Sequence, residues 1–186
     1  MHRRPLRRLL ESYAEAWPAE RELAGRFVAF VDEHPDCLER SCVPGHVTAS
    51  AWILDADHQR ALLTHHRKLG KWLQLGGHVD GAADVLAACL REAQEESGMS
   101  RFTLWQSRAG ARAPLDLDVH EIPARGCEPA HLHWDVRFLL VAGRDQPLVV
   151  SAESHDLAWV PIRELEQYTT EESVLRMHRK SREVMA

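Results

Sequence analysis

The chain has 186 residues, a formal net charge of −5 with histidine neutral, and 45% hydrophobic and 27% charged residues. That is the balance of an ordinary soluble globule, long enough for one domain with a real core. It excludes a basic nucleic-acid footprint, and no apolar run reaches membrane-spanning length.

Residues 6 to 35 read as helical. Leu6, Leu9, Leu10 and Tyr13 mark one periodic face, and Pro18 suits the first turn of a second helix carrying Leu23, Phe27, Val28 and Phe30. Cys37 to Gly45 reads as a linker with Pro44-Gly45, so residues 1–44 form an N-terminal helical extension and 45–186 the main domain. His46 to Leu54 and Ala61 to His66 read as strands joined by a polar turn at Asp55–His58. Trp72 to Leu75 leads into a Gly-Gly loop at Gly76-Gly77. A helix follows, with Asp84 as N-cap, Val85, Leu86, Cys89, Leu90 and Ala93 as its apolar stripe, and Gly98 as a left-handed stop.

Further strands are expected at Phe102 to Gln106, Leu115 to Ile122 and His131 to Ala142. Leu148 to Val150 and Leu157 to Val160 are short apolar pieces. Pro161 to Glu166 reads as a short helix start and Glu171 to Val184 as a closing helix. Strands mixed with helices in this irregular order favour α+β or α/β over a regular doubly wound sheet. The four cysteines, Cys37, Cys42, Cys89 and Cys127, form no Cys-x-x-Cys pair, and a reduced cytoplasm fits them best. No signal peptide is read at the N-terminus.

Chemistry concentrates on the helix after the glycines. Glu92, Glu95 and Glu96 lie three and four residues apart. At about 100° of rotation per residue they share one face. Such charge opposes itself unless water or a cation relieves it. Hard oxygen donors beside a glycine-rich turn point to a divalent cation and a phosphate.

The stretch from Gly77 through Arg91-Glu92-Ala93-Gln94-Glu95-Glu96-Ser97-Gly98-Met99 resembles the signature of the Nudix hydrolase superfamily, and Trp159 to Leu165 is similar to a common late segment of it. One place departs: the signature's first Glu falls on Ala83, with Asp84 beside it. The resemblance implies a Nudix fold, a mixed β-sheet sandwiched between α-helices. It also implies Mg²⁺- or Mn²⁺-dependent cleavage of a nucleoside diphosphate linked to another moiety. Glu92, Glu95, Glu96 and the Gly77 carbonyl are then the metal ligands, and Glu95, Glu96 and Arg91 take part in catalysis, with the roles of the carboxylates not separated. Some relatives place an outside base on a late loop, where Glu153 and His155 stand here. With Ala83 unable to pair with Arg91, Asp84 or Asp80 is expected to take that contact.

Two later strands carry polar residues at period two: Asp116, Asp118 and His120, then His131, His133, Asp135 and Arg137. A pocket wall binding phosphate, base or sugar is one reading, with Arg137 suited to bidentate phosphate contact and His78 nearby. A solvated sheet face is another, and a transition-metal site on His-x-His a third. The expected partner is a small nucleotide-type molecule, such as a nucleotide sugar or ADP-ribose, rather than nucleic acid or membrane; a homodimer is common at this size. The competing functions are a nucleotide-binding or regulatory domain without turnover, with Ala83 in its favour, and an isoprenoid diphosphate isomerase, which would need a reactive pocket cysteine.

Overall fold

Leu6, Leu10 and Tyr13 fall on one stripe, and helix α1 (Arg4–Ala16) buries all three. Pro18 opens a 3₁₀ turn (Pro18–Glu20) rather than the second helix itself, and α2 (Arg21–Glu33) then buries Ala24, Phe27, Phe30 and Val31. The computed structural model describes residues 2–106, 112–126, 128–152 and 154–185.

Strand β1 (Gly45–Leu54) is buried at all ten positions, as expected of a strand covered on both faces. It runs parallel to β7 (His131–Ala142), with Gly45 opposite Leu132 and Leu54 opposite Val141. Its other edge is shared by β2 (Arg60–His66) and β4 (Leu75–His78), both antiparallel. Strand β2 also pairs with β3 (Lys71–Leu73) and β8 (Ser154–Pro161). On the far side of β7 lie β5 (Phe102–Leu104) and β6 (Asp116–Ile122). The sheet is therefore mixed and eight-stranded. Helix α3 (Val85–Ser97) packs on β1 and β4, α4 (Leu165–Tyr168) follows β8, and α5 (Glu172–Met185) closes the chain.

Phe102–Leu104 is a shorter strand than expected, and Leu148–Val150 forms none. Gly76 and Gly77 belong to β4 rather than to a loop, because β1 takes them up as partners of Ser50 and Ala49.

The two N-terminal helices share one apolar core with the sheet. Trp134 stacks on Phe30 at 4.3 Å and meets Phe27 edge-on at 5.0 Å, aromatic pairings worth about 0.5–1.5 kcal/mol beyond burial. Among the described residues no helix is long and apolar enough to cross a membrane.

The opposite face of the β6–β7 hairpin is polar and covered by α5. Arg137 is 1% exposed and donates to Asp135 (2.7 Å), Asp118 (3.0 Å), Asp116 (3.3 Å) and the Ser173 carbonyl (3.3 Å). Arg176 reaches Asp116 (2.8 Å) and Asp118 (2.7 Å), while Lys180 reaches Asp116 (3.0 Å), Glu20 (2.8 Å) and the Tyr13 hydroxyl (2.7 Å). Three cations thus face four carboxylates and tie α1 and α5 to the hairpin. Burial alone would raise the Asp118 carboxyl, but the His120 hydrogen bond and the Arg137 and Arg176 charges hold it well below the usual range.

Candidate active site

Helix α3 is fixed at both ends by residues local to it. The Asp84 carboxylate accepts from the Ala87 N–H at 3.0 Å, and Gly98 takes the left-handed conformation at φ 74°. Val85, Leu86, Cys89 and Ala93 face inward. The Cys89 thiol donates to the Ser50 carbonyl at 3.2 Å, and burial pushes its pKa well up, so it is a core thiol.

That anchoring aims two of the three signature carboxylates at β4. Glu96 is 7% exposed and accepts the Gly76 N–H at 2.8 Å. Glu92 lies directly over Gly77: a Cβ added there would sit 2.5 Å from Glu92 Oε2. Glycine at position 77 is what lets the carboxylate come so close to the strand. Glu95, by contrast, is exposed.

Arg91 links the helix to the strand end. One guanidinium nitrogen donates to the His78 carbonyl at 2.7 Å and to Glu92 Oε1 at 2.8 Å. The expected pairing of Arg91 with Asp84 or Asp80 is not formed. Asp84 is occupied as the helix cap, and Asp80 pairs with Arg40 at 2.8 Å. Arg40 holds the Asp80 carboxyl below its usual range. Arg91 instead uses the His78 carbonyl and the neighbouring Glu92 carboxylate, which needs no acid at position 83.

The residues present fit a hard divalent cation. Glu92 and Glu96, on successive turns of α3, each meet one of the two adjacent glycines of β4, and these donors are oxygen. Glu153 lies outside the described residues, as does Cys127. His155 is exposed on β8, with its ring 5.5 Å from that of His65.

The polar strands need correction. Asp116 opposes Arg137, Asp118 opposes Asp135 and His120 opposes His133, so the hairpin and its shared polar face form as the alternation predicts. Yet Asp135 and Arg137 are each 1% exposed, and Asp135 also accepts from Thr48 (3.0 Å) and Ser50 (2.9 Å). They are neither a substrate wall nor a solvated face, because α5 covers them and their charges are matched inside the fold. His131, His133 and His78 remain half-buried at the open end of that face.

Two features escaped the sequence reading. His46 joins these histidines because it pairs with His133 across a parallel ladder 87 positions apart, which no local pattern signals. Trp72 stacks on His65 at 5.1 Å and meets Tyr168 edge-on at 5.6 Å, a ring surface on the strand leading into β4.

Comparison with known proteins agrees with this arrangement. The family model for the NUDIX domain matches residues 44–180. The chain belongs to the NUDIX family. With that membership it is a hydrolase acting on pyrophosphate bonds. Solved structures show the same fold. A NUDIX-family hydrolase from Clostridium perfringens is similar at TM-score 0.60 and 23% identity, over 76% of this chain and 98% of that one. A C. elegans Ap4A hydrolase binary complex gives TM-score 0.59 and 17% identity, over 75% and 96%. The NUDIX domain of Shewanella oneidensis NrtR, complexed with ADP ribose, gives TM-score 0.51 and 19% identity, over 75% and 88%. No match is found among curated proteins.

Proposed function

We propose that this NUDIX protein is a divalent-cation-dependent pyrophosphohydrolase. Its substrate is a nucleoside diphosphate linked to a second moiety, such as a nucleotide sugar or ADP-ribose. The carrying observation is the convergence of Glu92 and Glu96 on the backbone of Gly76 and Gly77. Glu92, Glu95, Glu96 and the Gly77 carbonyl would hold Mg²⁺ or Mn²⁺. When bound, such a cation offsets the negative charge of the bridging phosphates and orients them.

The chain's own residues do the rest. The hydrogen bond from Gly76 N–H fixes the Glu96 carboxylate, and Arg91 fixes that of Glu92. One of the signature carboxylates, Glu95 or Glu96, would take a proton from attacking water; Glu95 is the one with an exposed side chain. His65, Trp72 and Tyr168 supply ring faces against which a base can stack. Arg67 and Lys68, on the exposed turn between β2 and β3, place positive charge at that edge. Three free, buried cysteines among the described residues suit a reducing cytoplasm.

A second reading is a catalytically weakened NUDIX domain that acts as a nucleotide-binding or regulatory module. Ala83 and the Arg91–Glu92 ion pair favour it, since Arg91 competes for a carboxylate the cation needs. Both readings are separated by product release from a panel of nucleotide sugars, ADP-ribose and dinucleoside polyphosphates with Mg²⁺ or Mn²⁺. Nucleoside monophosphate release supports the hydrolase; binding of the same compounds without release supports the second reading.

A further inference from the structure

Five imidazoles gather where β1, β4, β6 and β7 meet. His46 and His133 are direct partners in the β1–β7 ladder, and His120 faces His133 across the hairpin. Ring centroids lie 4.9 Å apart for His46 and His133, 5.0 Å for His46 and His131, and 5.2 Å for His131 and His133. His78 adds a fourth ring 5.0 Å from His46, and His120 a fifth 5.4 Å from His133.

Two observations set this group apart from ordinary polar packing. His46 is 3% exposed, and neither of its ring nitrogens has a hydrogen-bond partner among the described residues. Nε2 of His133 is buried without a partner as well. Each such atom costs about 1–3 kcal/mol when nothing satisfies it. Secondly, one ring nitrogen each from His46, His131 and His133 lies within 4.8 Å of the other two. Tetrahedral coordination with Zn–N bonds of about 2.0–2.1 Å puts ligand nitrogens roughly 3.3–3.4 Å apart, within reach of small ring rotations.

The surroundings prepare the rings for this. His131 Nδ1 lies 2.9 Å from the Pro129 carbonyl, which can only accept, so Nδ1 carries the proton and Nε2 the lone pair. His120 Nδ1 is likewise held by Asp118 at 3.0 Å. Neutral imidazole is the form that binds metal.

We propose that His46, His131 and His133 form a three-imidazole site for a transition-metal ion of the zinc class, with His78 and His120 beside it. Nitrogen donors suit such an ion and not Mg²⁺. The site is separate in chemistry from the carboxylates of α3 and stands whether or not they act in hydrolysis.

The test uses the full chain, stripped with a chelator and dialysed against Zn²⁺ or Co²⁺ alone. One ion per chain is expected, retained in excess Mg²⁺, with visible Co²⁺ bands of nitrogen coordination. His131→Asn and His133→Asn should each weaken binding by more than about 100-fold, beyond the usual effect of losing an outer partner. Glu95→Gln should bind as wild type does. Far-UV circular dichroism identifies folded variants, and half-exposed His131 at the start of its strand carries the test if His133→Asn fails to fold. Failure to retain either ion overturns the proposal. So does retention undiminished by His131→Asn, or loss of the ion in Glu95→Gln.

Discussion

Gly77 and Glu92 share a space that holds only one of a methyl group and a carboxylate. Gly77→Ala must therefore push Glu92 away from β4. It is expected to fold, and to lose most of its Mg²⁺-dependent turnover while saturating with Mg²⁺ only at higher concentration. A metal titration of initial rates checks this. Arg91→Ala removes the contacts to His78 and Glu92. Its side chain is 41% exposed, so the stability loss should stay near about 1 kcal/mol while turnover falls more than tenfold. Urea unfolding beside steady-state rates separates the two effects. At this scale the sequence was readable where the signal is local. Asp84 as cap, Cys89 as core thiol and Gly98 as left-handed stop all follow from neighbours within a turn or two. The His78 carbonyl as a partner of Arg91 did not, because a backbone carbonyl leaves no mark on residue identity.

The β6–β7 hairpin shows the same division between elements. Alternation gave the pairing and the shared polar face, since period two is a property of the strand itself. What covers that face depends on α5, which is distant in sequence; nothing local to Arg176 and Lys180 signals their pairing with Asp116. Arg137→Met leaves Asp116, Asp118 and Asp135 without their central cation. It should destabilise the protein by about 3–5 kcal/mol, measured by denaturant unfolding. Acid should act on the same network. Asp118 has a folded-state pKa below its unfolded value, so its contribution is fully present above roughly pH 4 and lost as pH falls toward the folded value. Arg137 and Arg176 face it and stay cationic over that range, and His120 contacts it through Nδ1. The stability gap between wild type and Asp118→Asn should therefore narrow from about pH 5 to about pH 3. A constant gap across that range would show that Asp118 is not paired as described.

Across the whole molecule, the NUDIX match begins at residue 44, but the core does not. Leu6, Leu10, Tyr13, Phe27 and Phe30 are all buried with the sheet, and each contributes about 1.5–3 kcal/mol. Together they approach the full stability of a typical domain, about 5–15 kcal/mol. We propose that the boundary at 44/45 divides sequence signatures and not folding units. A chain starting at residue 45 should lose cooperative thermal unfolding; a sharp transition near that of the full chain would contradict this. The same core sets the backbone of β1 and β4 against which the carboxylates of α3 stand. The most direct measurement is Mg²⁺-dependent release of AMP from ADP-ribose and nucleoside monophosphate from nucleotide sugars, for wild type beside Glu95→Gln and Glu96→Gln. Release by wild type that requires the ion and collapses in both variants is the predicted result. No release with Mg²⁺ or Mn²⁺ from any of these compounds, or release undiminished in the variants, would contradict it.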